Sequence, residues 1–211
     1  MNLILIGPQG SGKGTQAELL AKKFKLPIIG VGRLFRLEAQ GKTKLGKKVE
    51  KFMNQGLLVP DNLTEELLKN ELKKSKYKQG AIFDGFPRDL AQLKLLEKLI
   101  PIDYVIFIGL SQQESIKRLS SRRVCACGQT YNIYTDKPKH SLLCDKCGRK
   151  LQRRADDTPQ AIKKRLKIFR QETFPLLRYF KKKNKLIKVN GEQTAIKVFR
   201  NIIILLKNKD I

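Results

Sequence analysis

Five short runs of apolar, mostly branched residues punctuate the chain, at Leu3 to Ile6, Pro27 to Ile29, Ala81 to Phe83, Tyr104 to Ile108 and Leu186 to Val189. Their length and β-branched content suit buried strands. Between most of them apolar residues return at helical spacing, marking helices with one face turned inward. Alternating strand and helix predicts an α/β fold in three layers, α/β/α, around a central parallel five-stranded sheet. Ligands of such sheets gather beyond the carboxyl ends of the strands. The segments to search are therefore Gly7 to Thr15, Gly30 to Arg36 and Asp84 to Arg88.

Two stretches break the rhythm. From Gly30 to Pro60 the pattern is helical and polar, punctuated by Gly41, Gly46 and Gly56, and reads as a small helical insertion able to move against the core. From Arg122 to Thr158 periodicity fades and cysteines, glycines and "TYNIY" take over, as in a small metal-clasped β insertion. The expected division is a core of residues 1–29, 61–121 and 159–211, an insertion at 30–60 and a lid at 122–158. The closing stretch "LIKVNGEQTAIKVF" reads as an edge strand, a turn and a final helix.

The first run breaks into "GPQGSGKGT" before the next amphipathic segment starts. Glycines between a strand and a helix let backbone N–H groups close upon a phosphate, and the helix start adds partial positive charge. Gly7, Gly10, Gly12 and Gly14 are the candidates for left-handed angles, and Lys13 supplies a full charge. Gly7 to Lys13 fit G-x-x-x-x-G-K, but Gly14 stands where the general motif has Ser or Thr, and the hydroxyl follows at Thr15. Direct magnesium ligation by that hydroxyl is not expected. A flexible turn with no ligand is the plain alternative.

A chain of 211 residues with 41% hydrophobic content can bury a real core. Met1 runs straight into a strand, with no basic leader and no apolar run of membrane-spanning length, so a cytoplasmic location is expected. Against 19 acidic residues stand 45 lysines and arginines, a formal charge of +26. Such a field attracts polyanions in a salt-sensitive way. Stretches such as "ELKKSKYKQ" and "RYFKKKNKLIK" look like solvated helix faces, and no aromatic-interleaved basic motif appears. No specific nucleic acid partner and no membrane partner are expected.

After the third strand comes "FDGFPRDLAQ". If that strand neighbours the first, Asp84 and Arg88 stand at the ligand edge beside the phosphate loop, where an acid makes sense only through a cation. Asp84 would hold magnesium through water, and Arg88 offers a planar fork for a second phosphate. The bland alternatives are a capping aspartate and a solvated arginine. Arg118 and Arg122 lie one helical turn apart and can share a face.

Together "GPQGSGKGT", "DGFPR" with Gln92 beyond it, "RLSSRR", and "RADD" followed by "KKRL" resemble adenylate kinases over nearly the whole chain, the cysteine insertion resembling the zinc lid of bacterial members. The resemblance implies the phosphate-loop NTPase fold, a monomer, and transfer of phosphate from ATP to AMP with magnesium, giving ADP. It implies catalytic roles for Lys13, Asp84, Arg88, Arg122, Arg154 and Arg165. ATP would meet Gly10, Ser11, Gly12, Lys13, Gly14, Thr15, Arg118, Arg122 and, by its backbone, Gln193. AMP would meet Val31, Arg36, Leu57, Leu58, Val59, Gly85, Phe86, Pro87, Arg88, Gln92, Arg154 and Arg165, with Gln92 reading adenine and Pro87 in the cis form. The chemistry agrees: an already ionised phosphate acceptor needs no general base, and the chain has one histidine.

Three departures stand out. Val31, Gly32 and Arg33 replace the usual Thr-Gly-Asp, which leaves the identity of the monophosphate open; a kinase for CMP or UMP is the nearest alternative, and an RNA-associated ATPase a more distant one. Gln9 replaces a proline. Cys144 and Cys147 keep the C-x-x-C spacing of a zinc knuckle, but a single residue separates Cys125 from Cys127. Four thiolates suggest a closed structural zinc site; a redox pair or idle thiols are the alternatives, and His140 is a possible substitute ligand.

Overall fold

The structure is a computed structural model that describes residues 1–41, 43–55 and 57–209; Gly56 lies outside the described residues. The chain runs β1 (Asn2–Ile6), α1 (Lys13–Phe24), β2 (Ile28–Gly30), α2 (Val31–Gln40), α3 (Lys44–Asn54), α4 (Asp61–Leu72), β3 (Ala81–Asp84), α5 (Leu90–Leu99), β4 (Tyr104–Gly109) and α6 (Gln112–Ser120). It continues with β5 (Arg122–Val124), β6 (Thr130–Asn132), α7 (Pro159–Ile168), a π-helical turn at Phe169–Thr173, α8 (Leu176–Lys182), β7 (Leu186–Asn190) and α9 (Ala195–Lys207).

The large sheet is parallel throughout, in the order β2-β3-β1-β4-β7. Alternation along β1 decides its two faces. Ile4 and Ile6 join Phe83, Val105, Leu93, Leu96, Phe169 and Phe180 on one side. Leu3 and Leu5 join Ile82, Ile106, Ala17, Leu20, Val198 and Ile202 on the other, under α1 and α9. With both faces covered, the strands read as continuous apolar runs. The expected strands are all present. β2 sits one residue later than expected, because Pro27 has no N–H for the ladder; its carbonyl still accepts from Ile82 N at 2.9 Å. β7 lies at the sheet edge, as expected.

Register puts Leu5 opposite Asp84, so the turns after β1 and β3 emerge side by side. The insertion stands over them. α2 and α3 approach so closely at Gly46 that a Cβ there would lie 2.3 Å from Glu38 O. Thr43 caps α3, its Oγ1 accepting from Gly46 N at 2.8 Å. Val31, Phe35, Val49 and Val59 belong to the same apolar cluster as the sheet, so the insertion rests on the core rather than building its own.

The cysteine-rich stretch does have its own small core, Cys125, Tyr131, Cys144 and Leu151, beneath the antiparallel pair β5–β6. One expectation fails here. Arg118 and Arg122 do not share a helical face, because α6 stops at Ser120 and Arg122 opens β5. Ser121 ends the helix by donating its hydroxyl to Lys117 O at 2.8 Å, and Asn132 Nδ2 donates to that hydroxyl. Among the described residues no helix is long and apolar enough to cross a membrane.

Replacing Gly46 with alanine should push α3 off α2. The expected loss is on the order of 1–3 kcal/mol, despite the ~1 kcal/mol that alanine gains over glycine in a helix. A urea titration reads it as a lower midpoint, and an unchanged midpoint would mean the two helices separate freely.

Candidate active site

The loop after β1 turns twice through left-handed angles, at Gly10 (φ 85°) and Gly12 (φ 87°). Gly7 and Gly14 do not, contrary to expectation. Gly7 is needed for room, since a Cβ would stand 2.5 Å from Ile108 O and 2.6 Å from Ser11 Oγ. Gly14 falls inside α1, which starts earlier than the apolar pattern suggests; a Cβ on it would lie 3.5 Å from Asp84 Oδ2. The first intrahelical bond is Gln16 N to Gly12 O at 3.0 Å, so the amides of Lys13, Gly14 and Thr15 precede the ladder and face the hollow. Ser11 is buried beneath the loop and Thr15 is exposed.

Lys13 Nζ donates to Gly7 O at 2.8 Å and Pro8 O at 2.9 Å, which holds the ammonium at the loop's mouth. Burial pushes its pKa down to about 8, Asp84 opposes that, and Arg88, Arg122 and Arg165 add to it. These long-range effects mark one site. Burial also lowers Arg36 and Arg88, and brings Arg154 to about 10. Arg36 feels Asp156, Arg122, Asp84 and Arg88, and Arg154 feels Arg122 and Arg36. Arginines distant in sequence therefore surround one cleft.

Two groupings divide them. Arg36 and Arg88 converge above Gly32, whose missing Cβ would lie 3.5 Å from one Arg36 nitrogen and 3.8 Å from one Arg88 nitrogen. Arg88 is braced by its Nε donating to Gly85 O at 2.9 Å, and its carbonyl accepts from Thr173 Oγ1 in the π-helical turn at 2.6 Å. Gly85 takes φ 71° and the Phe86–Pro87 peptide is cis, as expected. The second group is held by two aspartates. Asp157 receives Arg122 through two bonds, at 2.8 and 2.6 Å, and Arg165 at 2.7 Å. Asp156 receives Arg154 at 3.1 and 3.2 Å and Arg165 at 3.2 Å. Burial alone would raise the Asp157 carboxyl, but the bonds and charge of Arg122, followed by Arg165, hold it below the usual range.

Gln92 is buried, not an exposed helical glutamine. Its Oε1 accepts from Arg88 N at 2.9 Å and its Nε2 donates to Asp61 Oδ1 at 3.2 Å, which fixes the amide plane. It lines a pocket with Val31, Phe35, Leu58, Val59, Thr64, Gly85, Phe86 and Arg88, while Leu57 stands outside. On the far side of the loop Arg118 donates to Glu114 at 2.8 Å and to Gly191 O at 2.9 Å, close to Gln193 in the β7–α9 turn. Sequence reasoning left out the roles of Asp156, Asp157 and Asp61. The "DD" pair was visible beside its arginines, whereas Asp61 at a helix start reads only as a cap.

The four cysteine sulfurs lie within 4.8 Å of one another, Cys125 to Cys147 at 3.3 Å and Cys127 to Cys144 at 3.6 Å. Tetrahedral thiolates at Zn–S distances of about 2.3 Å sit about 3.8 Å apart, so the set fits such an ion. His140 is exposed and takes no part in the cluster. The short first knuckle keeps the bonding of the longer one. Cys125 O accepts from Gly128 N and Cys125 N donates to Gln129 O, matching Cys144 O with Gly148 N and Cys144 N with Arg149 O. Gly128 and Gly148 both take positive φ, so the deleted residue is absorbed between the two thiols.

A parallel sheet whose glycine loop opens onto a helix start, faced by a cleft of guanidinium groups, places the molecule among the phosphate-loop kinases. A family model described as adenylate kinase matches residues 5–185. The chain is 39% identical to the adenylate kinase of Thermosipho africanus over 98% of its own length and 100% of the relative's. It is 45% identical to that of Treponema denticola (94% and 95% covered) and 43% identical to that of a Hydrogenobaculum species (96% and 98%). The chain belongs to the adenylate kinase family.

Asp157→Asn should leave Arg122 without a carboxylate partner and Arg165 with Asp156 alone, for a loss of about 3 kcal/mol at neutral pH. Because the native carboxyl titrates below its ordinary value, its stabilisation is present above about pH 4 and fades as the pH falls through that range. Urea midpoints of wild type and variant should converge on acidification. A gap that stays constant with pH would show that the carboxylate is not the stabilising species.

Proposed function

We propose that the chain transfers the terminal phosphoryl group of ATP to AMP, reversibly, yielding two ADP. The observation that carries this is the convergence of Lys13, Arg36, Arg88, Arg122, Arg154 and Arg165 on one cleft between the phosphate loop and the Gln92 pocket. Two polyanions brought end to end repel each other, and only a preorganised set of cations offsets that. An AMP phosphate oxygen attacks the γ-phosphorus in line, the bond from that phosphorus to the β–γ bridging oxygen breaks, and ADP leaves. No proton has to be removed, which suits a cleft of guanidinium groups.

In this reading Gly10 to Thr15 and Lys13 hold the ATP phosphates, while Arg118 and the turn at Gln193 border its base. Arg36 and Arg88 hold the AMP phosphate, and Val31, Leu58, Val59, Gly85, Phe86 and Gln92 surround adenine. Arg122, Arg154 and Arg165 steady the phosphoryl group in transit. Asp84, opposite the bare Gly14, would hold magnesium through its water shell; when bound, the ion neutralises charge on the ATP phosphates. Residues 30–60 and 122–158 act as the two moving pieces over a core of 1–29, 61–121 and 159–211, and closure keeps water from taking the phosphoryl group. Cys125, Cys127, Cys144 and Cys147 would hold zinc, which fastens the lid and takes no part in transfer. The chain works as a monomer in the cytoplasm, and its excess charge gives only salt-sensitive polyanion binding.

A coupled assay of ADP formation from ATP with AMP, CMP, UMP and GMP tests the assignment, and AMP should be strongly preferred. Preference for CMP or UMP would make it a pyrimidine monophosphate kinase, and ATP hydrolysis without any acceptor would point to an ATPase. Separately, stripping metal with a chelator should lower the melting temperature by several degrees and zinc should restore it; an identical melt in a verified metal-free sample rules out a structural ion.

A further inference from the structure

Arg33 belongs to neither group of arginines described above. It stands in the first turn of α2, directly after the Gly32 over which Arg36 and Arg88 converge, and it is exposed. Its side chain reaches the cysteine-rich lid. The guanidinium carbon and one of its nitrogens lie 4.0 Å from where a Cβ on Gly128 would stand, in the first cysteine turn of the lid. Among the described residues its side chain has no ion pair and no hydrogen bond, whereas Arg118, Arg122, Arg154 and Arg165 are each held by a carboxylate. The position is electrostatically unfavourable twice over. A cation in the first turn of a helix opposes the helix dipole, and this one faces a lid that also carries Arg122 and Arg154.

A cation kept there without a counter-charge, between two pieces that both carry phosphate-binding arginines, is matched to an anion that both pieces enclose. We infer that Arg33 is a phosphate-chain contact contributed by the 30–60 insertion: it binds the nucleotide polyphosphate from the side opposite Lys13 when insertion and lid approach. The guanidinium lies within ordinary van der Waals reach of the lid turn at Gly128. Contact with the lid in the absence of phosphate sets like charges against one another, so approach of the two pieces is favoured only with the polyanion between them. The inference rests on the kinase reading for its ligand, but its test does not require AMP turnover.

Calorimetric titration of wild type, Arg33→Gln and Arg33→Lys with ATP, and with inorganic tripolyphosphate, over a series of salt concentrations decides it. Arg33→Gln keeps a polar but shorter side chain and loses the charge, whereas Arg33→Lys keeps the charge. Arg33→Gln should bind both probes about tenfold more weakly, with a visibly shallower salt dependence, and Arg33→Lys should recover part of the loss. Because Arg33 is exposed, the melting temperatures should coincide. Unchanged affinity and salt dependence in Arg33→Gln, or a fall in turnover alone, overturns the inference and reduces Arg33 to packing against the lid. Should the wild type bind tripolyphosphate yet fail to phosphorylate AMP, the kinase reading falls while the fate of Arg33 is still read from the affinities.

Discussion

Cations that repel one another are gathered in one cleft, and everything around them exists to keep them there. Lys13, Arg88 and Arg36 are each driven toward the neutral form by burial and by neighbouring guanidinium groups. Asp84, Asp156 and Asp157 push back from within the cleft. A binding site preloaded with unfavourable charge is the physical counterpart of a ligand with several negative charges, because that ligand relieves the repulsion on arrival. The aspartates are therefore structural as much as chemical. Asp157 aims Arg122 and Arg165 together, and Asp156 ties Arg165 to Arg154.

Glycine allows this crowding. Gly10 and Gly12 bend the loop through left-handed angles, while Gly7 leaves space that a methyl group would close against the Ile108 carbonyl. These are two separate demands, one on torsion and one on volume. A tally of glycines in a loop does not separate them; only the neighbours do.

The two pieces flanking the cleft are built on different principles. The segment carrying α2 and α3 shares the apolar cluster of the sheet through Val31, Phe35 and Val49, and so borrows stability from the core. The lid is too small for that. Cys125, Cys144, Tyr131 and Leu151 form its interior with Cys127 packed against them, and two turns with equivalent backbone bonding bring the thiols together although one turn is a residue shorter. A cluster of sulfurs can stand in for a hydrophobic core at this size because metal coordination contributes directly to folding free energy.

Much of this was legible in the chain. Branched apolar runs separated by amphipathic segments dictate a parallel sheet with helices on both faces, and "GPQGSGKGT" and "DGFPR" announce phosphate chemistry through residue types with few other uses in that order. Local rules reach that far because strand period, helix period and backbone permissiveness act over neighbouring residues. They failed where spatial neighbours decide: the end of α6 before Arg122, the untwisted roles of Gly7 and Gly14, the clamp of Asp61 on Gln92, and the reach of Arg33 to the lid. Each depends on contact between segments far apart in sequence. The charge of an arginine is written in the chain, but which anion answers it is decided only when the fold brings the two together.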